Sequence, residues 1–491
     1  MANPVMTDEP RADEIDDCQA CREYRELSRR AFLGRSKVAA AGVLTTPAWL
    51  PHVALGGGRR AGGRLPDVLV YVFLRGGPDM LAQIVPYGDP FLYVAPYNSP
   101  NGSFPNGLRP TIGLAPPDNS DPDPAGLHCL DLGGAGNDAF GINKAYADRE
   151  FGGVQDRNTL KQLYDAGEVA FITAAGSPDT NRSHFSAEAY IEYGTPNQPH
   201  DELTGWLARY LAVMPSLGSP LRGAALSTDK LIPKSLAFAE KTLAFQEIDA
   251  VVLPGNPATA AQREAILAAR YEEQTADPLK SGVLNTFDVI ALLSQVNVMP
   301  HPDAMYTTST FGARLRNAAA LVKGGVNVEV IYTDRTGWDD HSTVGPFVGG
   351  NLYNRIKDVS QNLAAFRIDL QDHWHRVTLV MQGEFGRQNN ENGNAGTDHG
   401  NSGVMMVMGG NTIGGVYSRQ TLGGPSGWPG LDPELLLMND AIKTTTDYRN
   451  ILREVLSKRM GADNAALNYI FPTDGEQPPF VADELGLVNI G

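Results

Sequence analysis

Five runs of nearly unbroken apolar residues punctuate the chain, at 68–74, 169–174, 326–332, 377–381 and 404–408. Continuous apolarity marks strands buried on both faces, as in a parallel sheet covered by helices, whereas a half-exposed strand alternates. The stretches 158–166, 311–323 and 352–373 lie between these runs and read as helices. Strand and helix in alternation predict an α/β fold with a doubly wound, mostly parallel sheet.

Two regions break the rhythm and read as insertions. Residues 87–153 are dense in Pro, Gly, Asn and Asp with little periodicity, so a long surface excursion near one end of the sheet is expected. Residues 231–299 read as helical, with Ala-rich stretches at 235–247 and 258–273, forming a small cap or thickening a helical layer.

The N-terminus carries different information. Ser28-Arg29-Arg30-Ala31-Phe32-Leu33 precedes a mildly apolar run from Val38 to Leu50, interrupted by Thr45, Thr46 and Pro47. This is the pattern of a twin-arginine export signal. Residues 1–56 are therefore read as signal and preceding n-region, and 57–491 as one α/β domain. The twin-arginine translocation machinery is the implied partner, and the periplasm or exterior of a prokaryote is the destination of a chain that folds before export. A stable membrane span needs about 20 apolar residues, and this run falls short.

Composition narrows the function. The formal charge is −16, and removing eight acidic and seven basic residues with segment 1–56 leaves −15. An acidic surface argues against nucleic acid, whose phosphates demand a basic footprint. Cys18 and Cys21 lie upstream of the signal, so Cys129 alone remains and no internal disulfide is available.

Ligands of open α/β sheets bind beyond the carboxyl ends of the strands. After the first run comes Arg75-Gly76-Gly77-Pro78-Asp79, a tight turn with a hard oxygen ligand in Asp79. After the second, Ser183 lies close to a helix start, where free N–H groups favour an anion or an attacking oxyanion, or where the serine simply caps the helix. Following the third, Asp339 and His341 are two apart, so both side chains can reach one side and share a cation. Glu384 and Arg387 follow the fourth; Glu384 suits a metal and Arg387 suits a phosphate or sulfate, or the two pair with each other. Asp398 and His399 precede the fifth, in a Gly- and Asn-rich loop. Metal-type ligands at five consecutive strand ends favour a divalent metal site of zinc, manganese or magnesium.

These segments carry a resemblance. Ser28–Leu33, Phe73–Asp79, Gly176-Ser177-Pro178 through Ser183-His184-Phe185, Gly337–His341, Gly383–Arg387 and Thr397–Gly400 together resemble the domain-of-unknown-function 1501 family, exported bacterial proteins grouped with the alkaline-phosphatase-like superfamily. The resemblance implies a two-metal hydrolase or phosphotransferase with Ser183 attacking, in a loop similar to the nucleophile loop of cofactor-independent phosphoglycerate mutase. It further implies Asp79, Asp339, His341, Glu384, Asp398 and His399 as the metal set, and Arg75 or Arg387 clamping the anion. The superfamily commonly places three residues between its Asp and His, whereas only Asp340 intervenes here. It also commonly has Asp-His where Glu384-Phe385 stands.

The expected function is therefore an exported metal-dependent hydrolase of phosphate or sulfate esters, with a small anionic ester as substrate. The alternative is a non-catalytic exported binding or assembly protein that retains the scaffold. An exported redox enzyme ranks lower, since no Gly-x-Gly-x-x-Gly follows the first run and no cysteine cluster exists.

Overall fold

The computed structural model describes residues 67–490, apart from 94–96, 100–101, 105–106, 119–122, 149, 152–153, 156–158, 198–203, 273–277, 419–426 and 474–479. The twin-arginine segment lies outside the described residues. No described helix is long and apolar enough to cross a membrane. The chain divides into two compact units. The described residues of the smaller unit, within Gly255–Phe287, hold helix Ala260–Glu272 and the first part of helix Pro278–Leu293.

The larger unit, Val53–Pro254 with Asp288–Gly491, is built on one large sheet. Its strands are β1 (Val68–Leu74), β2 (Val169–Gly176), β3 (Gly223–Leu226), β4 (Thr242–Ala244), β5 (Val330–Arg335), β6 (Val377–Gly383), β7 (Gly403–Gly409), β8 (Gly415–Tyr417) and β9 (Thr446–Asp447). They lie in the order β4-β3-β5-β1-β6-β7-β2-β8, with β9 paired to β2. All neighbours run parallel except β7, which is antiparallel to both β6 and β2.

Each of the five apolar runs lies within or overlaps a strand of this sheet. The reversal of β7 corrects the expectation that 404–408 runs parallel with the rest. It also matters for the site: a backward strand puts its amino end, and the loop before it, on the rim where the other strands end.

Alternate residues of β1 feed two cores. Val68, Val70, Val72 and Leu74 pack with helices α1 (Leu160–Asp165), α4 (Thr310–Lys323) and α5 (Asn351–Leu370). Leu69, Tyr71 and Phe73 pack on the other face with α2 (His184–Tyr193), α3 (Trp206–Val213), α6 (Tyr448–Lys458) and α7 (Asn464–Ile470). Burying a side chain of this size contributes roughly 1.5–3 kcal/mol, which is why both faces need a helical cover. Local chemistry sets the helix starts. Thr159 and Gln162 form a reciprocal capping box on α1, and Ser309, Asp447 and Asp463 accept from first-turn N–H groups of α4, α6 and α7.

Both irregular regions differ from expectation. Residues 235–247 are not a helix: Phe238 and Lys241 take left-handed φ values of 66° and 51°, and the segment gives a 3-10 turn followed by edge strand β4. Segment 87–153 is no mere surface excursion. Its Leu108, Ile112, Phe140, Ile142 and Tyr146 are buried in the α4–α5 core, and Phe140–Ile142 joins a small three-stranded sheet.

Candidate metal centre

The turn after β1 is the foundation of the site. Gly76 and Gly77 have φ of 119° and 72°, conformations that only glycine adopts readily. A Cβ on Gly76 would sit 2.5 Å from the backbone nitrogen of Asp339, so the absence of a side chain lets the loop after β5 lie directly against this turn. Gly76 N–H donates to Glu384 Oε1 at 2.7 Å, and Trp338 N–H donates to Arg75 O at 3.1 Å. Three strand ends are thereby stitched together.

In the loop after β5, successive side chains part. Asp340 is buried and accepts from Arg355 at 2.7 Å, while Asp339 and His341 turn the other way, with His341 Nε2 3.0 Å from Asp339 Oδ1. From the loop before β7, His399 Nε2 lies 3.1 Å from the same Asp339 oxygen and 3.0 Å from His341 Nε2. From the start of α2, His184 Nε2 lies 3.4 Å from Asp339 Oδ2. Ligand atoms of His184, Asp339 and His399 all fall within 4.8 Å of one another.

What each imidazole does with its other nitrogen decides the chemistry. His184 Nδ1 is 2.8 Å from Glu384 Oε1, His341 Nδ1 is 3.0 Å from Asp398 Oδ1, and His399 Nδ1 is 2.9 Å from the Arg182 carbonyl. A carbonyl or carboxylate only accepts, so each Nδ1 donates, and a ring that gives up its other proton to serve as a metal ligand has its lone pair on Nε2. In that state His184, Asp339 and His399 bring two Nε2 lone pairs and a carboxylate together, with His341 Nε2 beside Asp339. A tetrahedral cation with bonds of 2.0–2.1 Å sets its ligands ~3.3 Å apart, close to the separations seen around Asp339. The residues present fit a divalent cation, and imidazole-rich donors suit zinc best.

Without a cation the same groups pair with one another. Burial alone would raise the Asp339 carboxyl, but hydrogen bonds from His184, His399 and Arg387 hold it far below the usual carboxylate range. Hydrogen bonds to Asp339 and Glu384 raise the His184 imidazole from 6.5 to about 9, against the effect of its partial burial.

Asp339, His341 and His399 meet directly, whereas Glu384 and Asp398 stand one step behind, each orienting an imidazole. His184 directly follows Ser183, the N-cap of α2, and nothing in the sequence sets it apart from that capping position.

Three expectations are corrected. Asp79 is buried and bidentate with Arg109, at 2.7 and 3.0 Å, so both oxygens are taken by a guanidinium from the 87–153 insertion. The Arg387 side chain is 0% exposed and donates to the carbonyls of Gly76, Gly77, Trp338 and Thr397 as well as to Asp339 Oδ1 at 2.6 Å. Buried among these acceptors, Arg387 holds Asp339 in place instead of facing an anion. Arg75 is likewise committed, to Glu188 at 2.9 Å, Asp334 at 3.0 Å and the Tyr332 hydroxyl at 2.8 Å.

Ser183 stands apart from these. It occupies the N-cap position of α2, between Arg182, whose carbonyl holds His399, and His184. Its side chain makes no capping hydrogen bond and is exposed.

The sequence profile of the family described as "Protein of unknown function (DUF1501)" matches residues 171–461. That span includes Ser183, His184, Asp339, His341, Glu384, Arg387, Asp398 and His399, and leaves the Gly76-Gly77 turn outside. No curated protein and no solved structure matches the chain. With more than half of its length matched, the chain belongs to the DUF1501 family.

Proposed function

We propose that this protein is an exported, metal-dependent hydrolase of phosphate or sulfate esters, with an alkaline-phosphatase-like arrangement of its sheet and site. The observation that carries the reading is the convergence of the Nε2 atoms of His184, His341 and His399 on Asp339, each with Nδ1 anchored. A bound divalent cation supplies Lewis-acid polarisation of an ester oxygen and eases ionisation of an attacking hydroxyl. Ser183 is the attacking group: its Oγ bonds to phosphorus or sulfur as the ester bond to the leaving oxygen breaks, the alcohol departs with the proton Ser183 gives up, and water then cleaves the phospho- or sulfo-serine, restoring the hydroxyl and releasing the inorganic anion. The position of Ser183 at the N-terminus of the ten-residue helix α2 sets the positive end of the helix dipole beside the developing negative charge. Glu384, Asp398 and Arg387 hold the imidazoles and Asp339 in aim throughout.

The test is metal analysis of the purified mature protein with assays of aryl phosphate and aryl sulfate, using Ser183→Ala and His399→Ala as controls. Stoichiometric metal and hydrolysis lost in both variants support the reading. Metal-free protein that hydrolyses neither ester under any divalent supplement contradicts it. For export, Arg29→Lys with Arg30→Lys should retain the precursor in the cytoplasm, and continued export would contradict that part.

One observation favours a second reading, a binding or assembly protein that kept the scaffold. Among the described residues, Arg75, Arg182 and Arg387 at this rim are all committed to carboxylates, Arg182 to Asp440 at 2.6 and 2.9 Å. Capture of a cell-surface partner that survives substitution of both His341 and His399 would support it.

A further inference from the structure

We infer that Phe385 is a positioning residue of the metal centre, a ring on which two of its imidazoles rest, and that position 77 is glycine to admit that ring; the inference rests on the metal reading above. Phe385 follows Glu384 directly and is 5% exposed. Its ring centroid lies 4.9 Å from that of His184, with planes 35° apart, and 4.8 Å from that of His399, with planes 41° apart. The two imidazoles are 4.4 Å from each other at 75°. The three rings thus form a closed triangle.

A hydrogen bond through Nδ1 fixes one point of an imidazole and leaves the ring free to swing about that bond. A second contact, on the ring itself, is needed to fix the plane and with it the aim of the Nε2 lone pair. For His184 the first contact is Glu384 and for His399 the Arg182 carbonyl. Phe385 supplies the second contact to both at once.

The same ring accounts for Gly77. A Cβ there would lie 2.5 Å from Cε2 and 2.6 Å from Cδ2 of Phe385, and φ of 72° already disfavours any other residue. Nor can the turn retreat, because the Gly77 carbonyl accepts from Arg387 Nε at 2.7 Å and Arg387 holds Asp339. The glycine after β1 and the phenylalanine after β6 are in this account two halves of one device.

The test measures zinc affinity by chelator competition, the absorption spectrum of the cobalt(II)-substituted protein, and the unfolding midpoint of the metal-free protein. Phe385→Leu removes the flat face at similar bulk, and Phe385→Met is the second variant, since a flexible thioether adapts to irregular cores. A folded variant of either kind should bind zinc about 10- to 100-fold more weakly, as loss of an outer partner of a metal ligand does, and should show an altered cobalt spectrum. Gly77→Ala should give the same signature by displacing the ring. Unchanged zinc affinity and cobalt spectrum in a folded Phe385 variant would overturn the inference while leaving the metal reading standing. An unsubstituted protein that binds no zinc would remove both.

Discussion

His341 and His399 face each other Nε2 to Nε2 at 3.0 Å, each with its Nδ1 proton already given away, to Asp398 and to the Arg182 carbonyl. Two neutral imidazoles in that state present lone pair to lone pair, which is repulsive unless a proton or a cation stands between them. Asp339 Oδ1, 3.0 and 3.1 Å from the same two atoms, adds a third donor and a negative charge. Asp398→Asn should therefore weaken zinc binding about 10- to 100-fold by releasing the His341 tautomer, although Asp398 is no ligand in this account. Zinc titration against a competing chelator reads the change directly, and an unaltered dissociation constant would show that the anchor is irrelevant.

Ser183 separates chemistry from metal binding. Its hydroxyl neither caps α2 nor belongs to the His–Asp cluster. Ser183→Ala is expected to lower turnover of an aryl ester on the order of 10³-fold or more while leaving metal content unchanged, as loss of a nucleophile does. Full activity in that variant would assign the attack to water and leave Ser183 a spectator.

Asp79 and Arg109 make the opposite point. Their side chains are each 2% exposed, so removing one partner leaves an uncompensated buried charge. Arg109→Met should destabilise the protein by about 3–5 kcal/mol in denaturant titration, with metal stoichiometry of the folded fraction unchanged. Loss of metal without loss of stability would restore Asp79 to the ligand set.

Glu192 on α2 gives a pH signature. Burial raises its carboxyl from 4.5 to about 7, with Arg75 and Lys234 opposing. Because the folded state holds this proton more tightly than the unfolded state, the contribution is present below pH 4.5 and is lost as pH rises toward 7. Glu192→Gln should flatten the stability profile of the metal-free protein between those values, with a relative gain of up to about 3 kcal/mol at pH 8. Parallel urea midpoints for the two proteins across that range would count against it.

The parts of the fold legible in the sequence are those where burial on both faces writes one continuous apolar word. That holds for β1, β2, β6 and β7, and for the second half of 326–332. β3 and β4, reading Gly-Ala-Ala-Leu and Thr-Leu-Ala, are too short and small to stand out, and nothing in the apolarity of β7 encodes its direction. That direction is nonetheless why His399, which precedes its strand, reaches the rim where Asp339 and Glu384 follow theirs. Residue type alone could not separate ligand from scaffold. Asp79 and Asp339 are the same residue at equivalent strand ends, and only the arrival of Arg109 from a distant insertion distinguishes them. His184 was hidden because helix starts advertise their capping residue rather than the one after it.

The proposed site holds one cation where these side chains converge, and X-ray diffraction from zinc-loaded crystals at the zinc absorption edge would locate it. A single strong anomalous peak is expected within about 2.0–2.2 Å of His184 Nε2, His399 Nε2 and an Asp339 oxygen, with His341 Nε2 completing the set. Fully loaded crystals with no peak there, or with zinc bound only elsewhere on the surface, would contradict it.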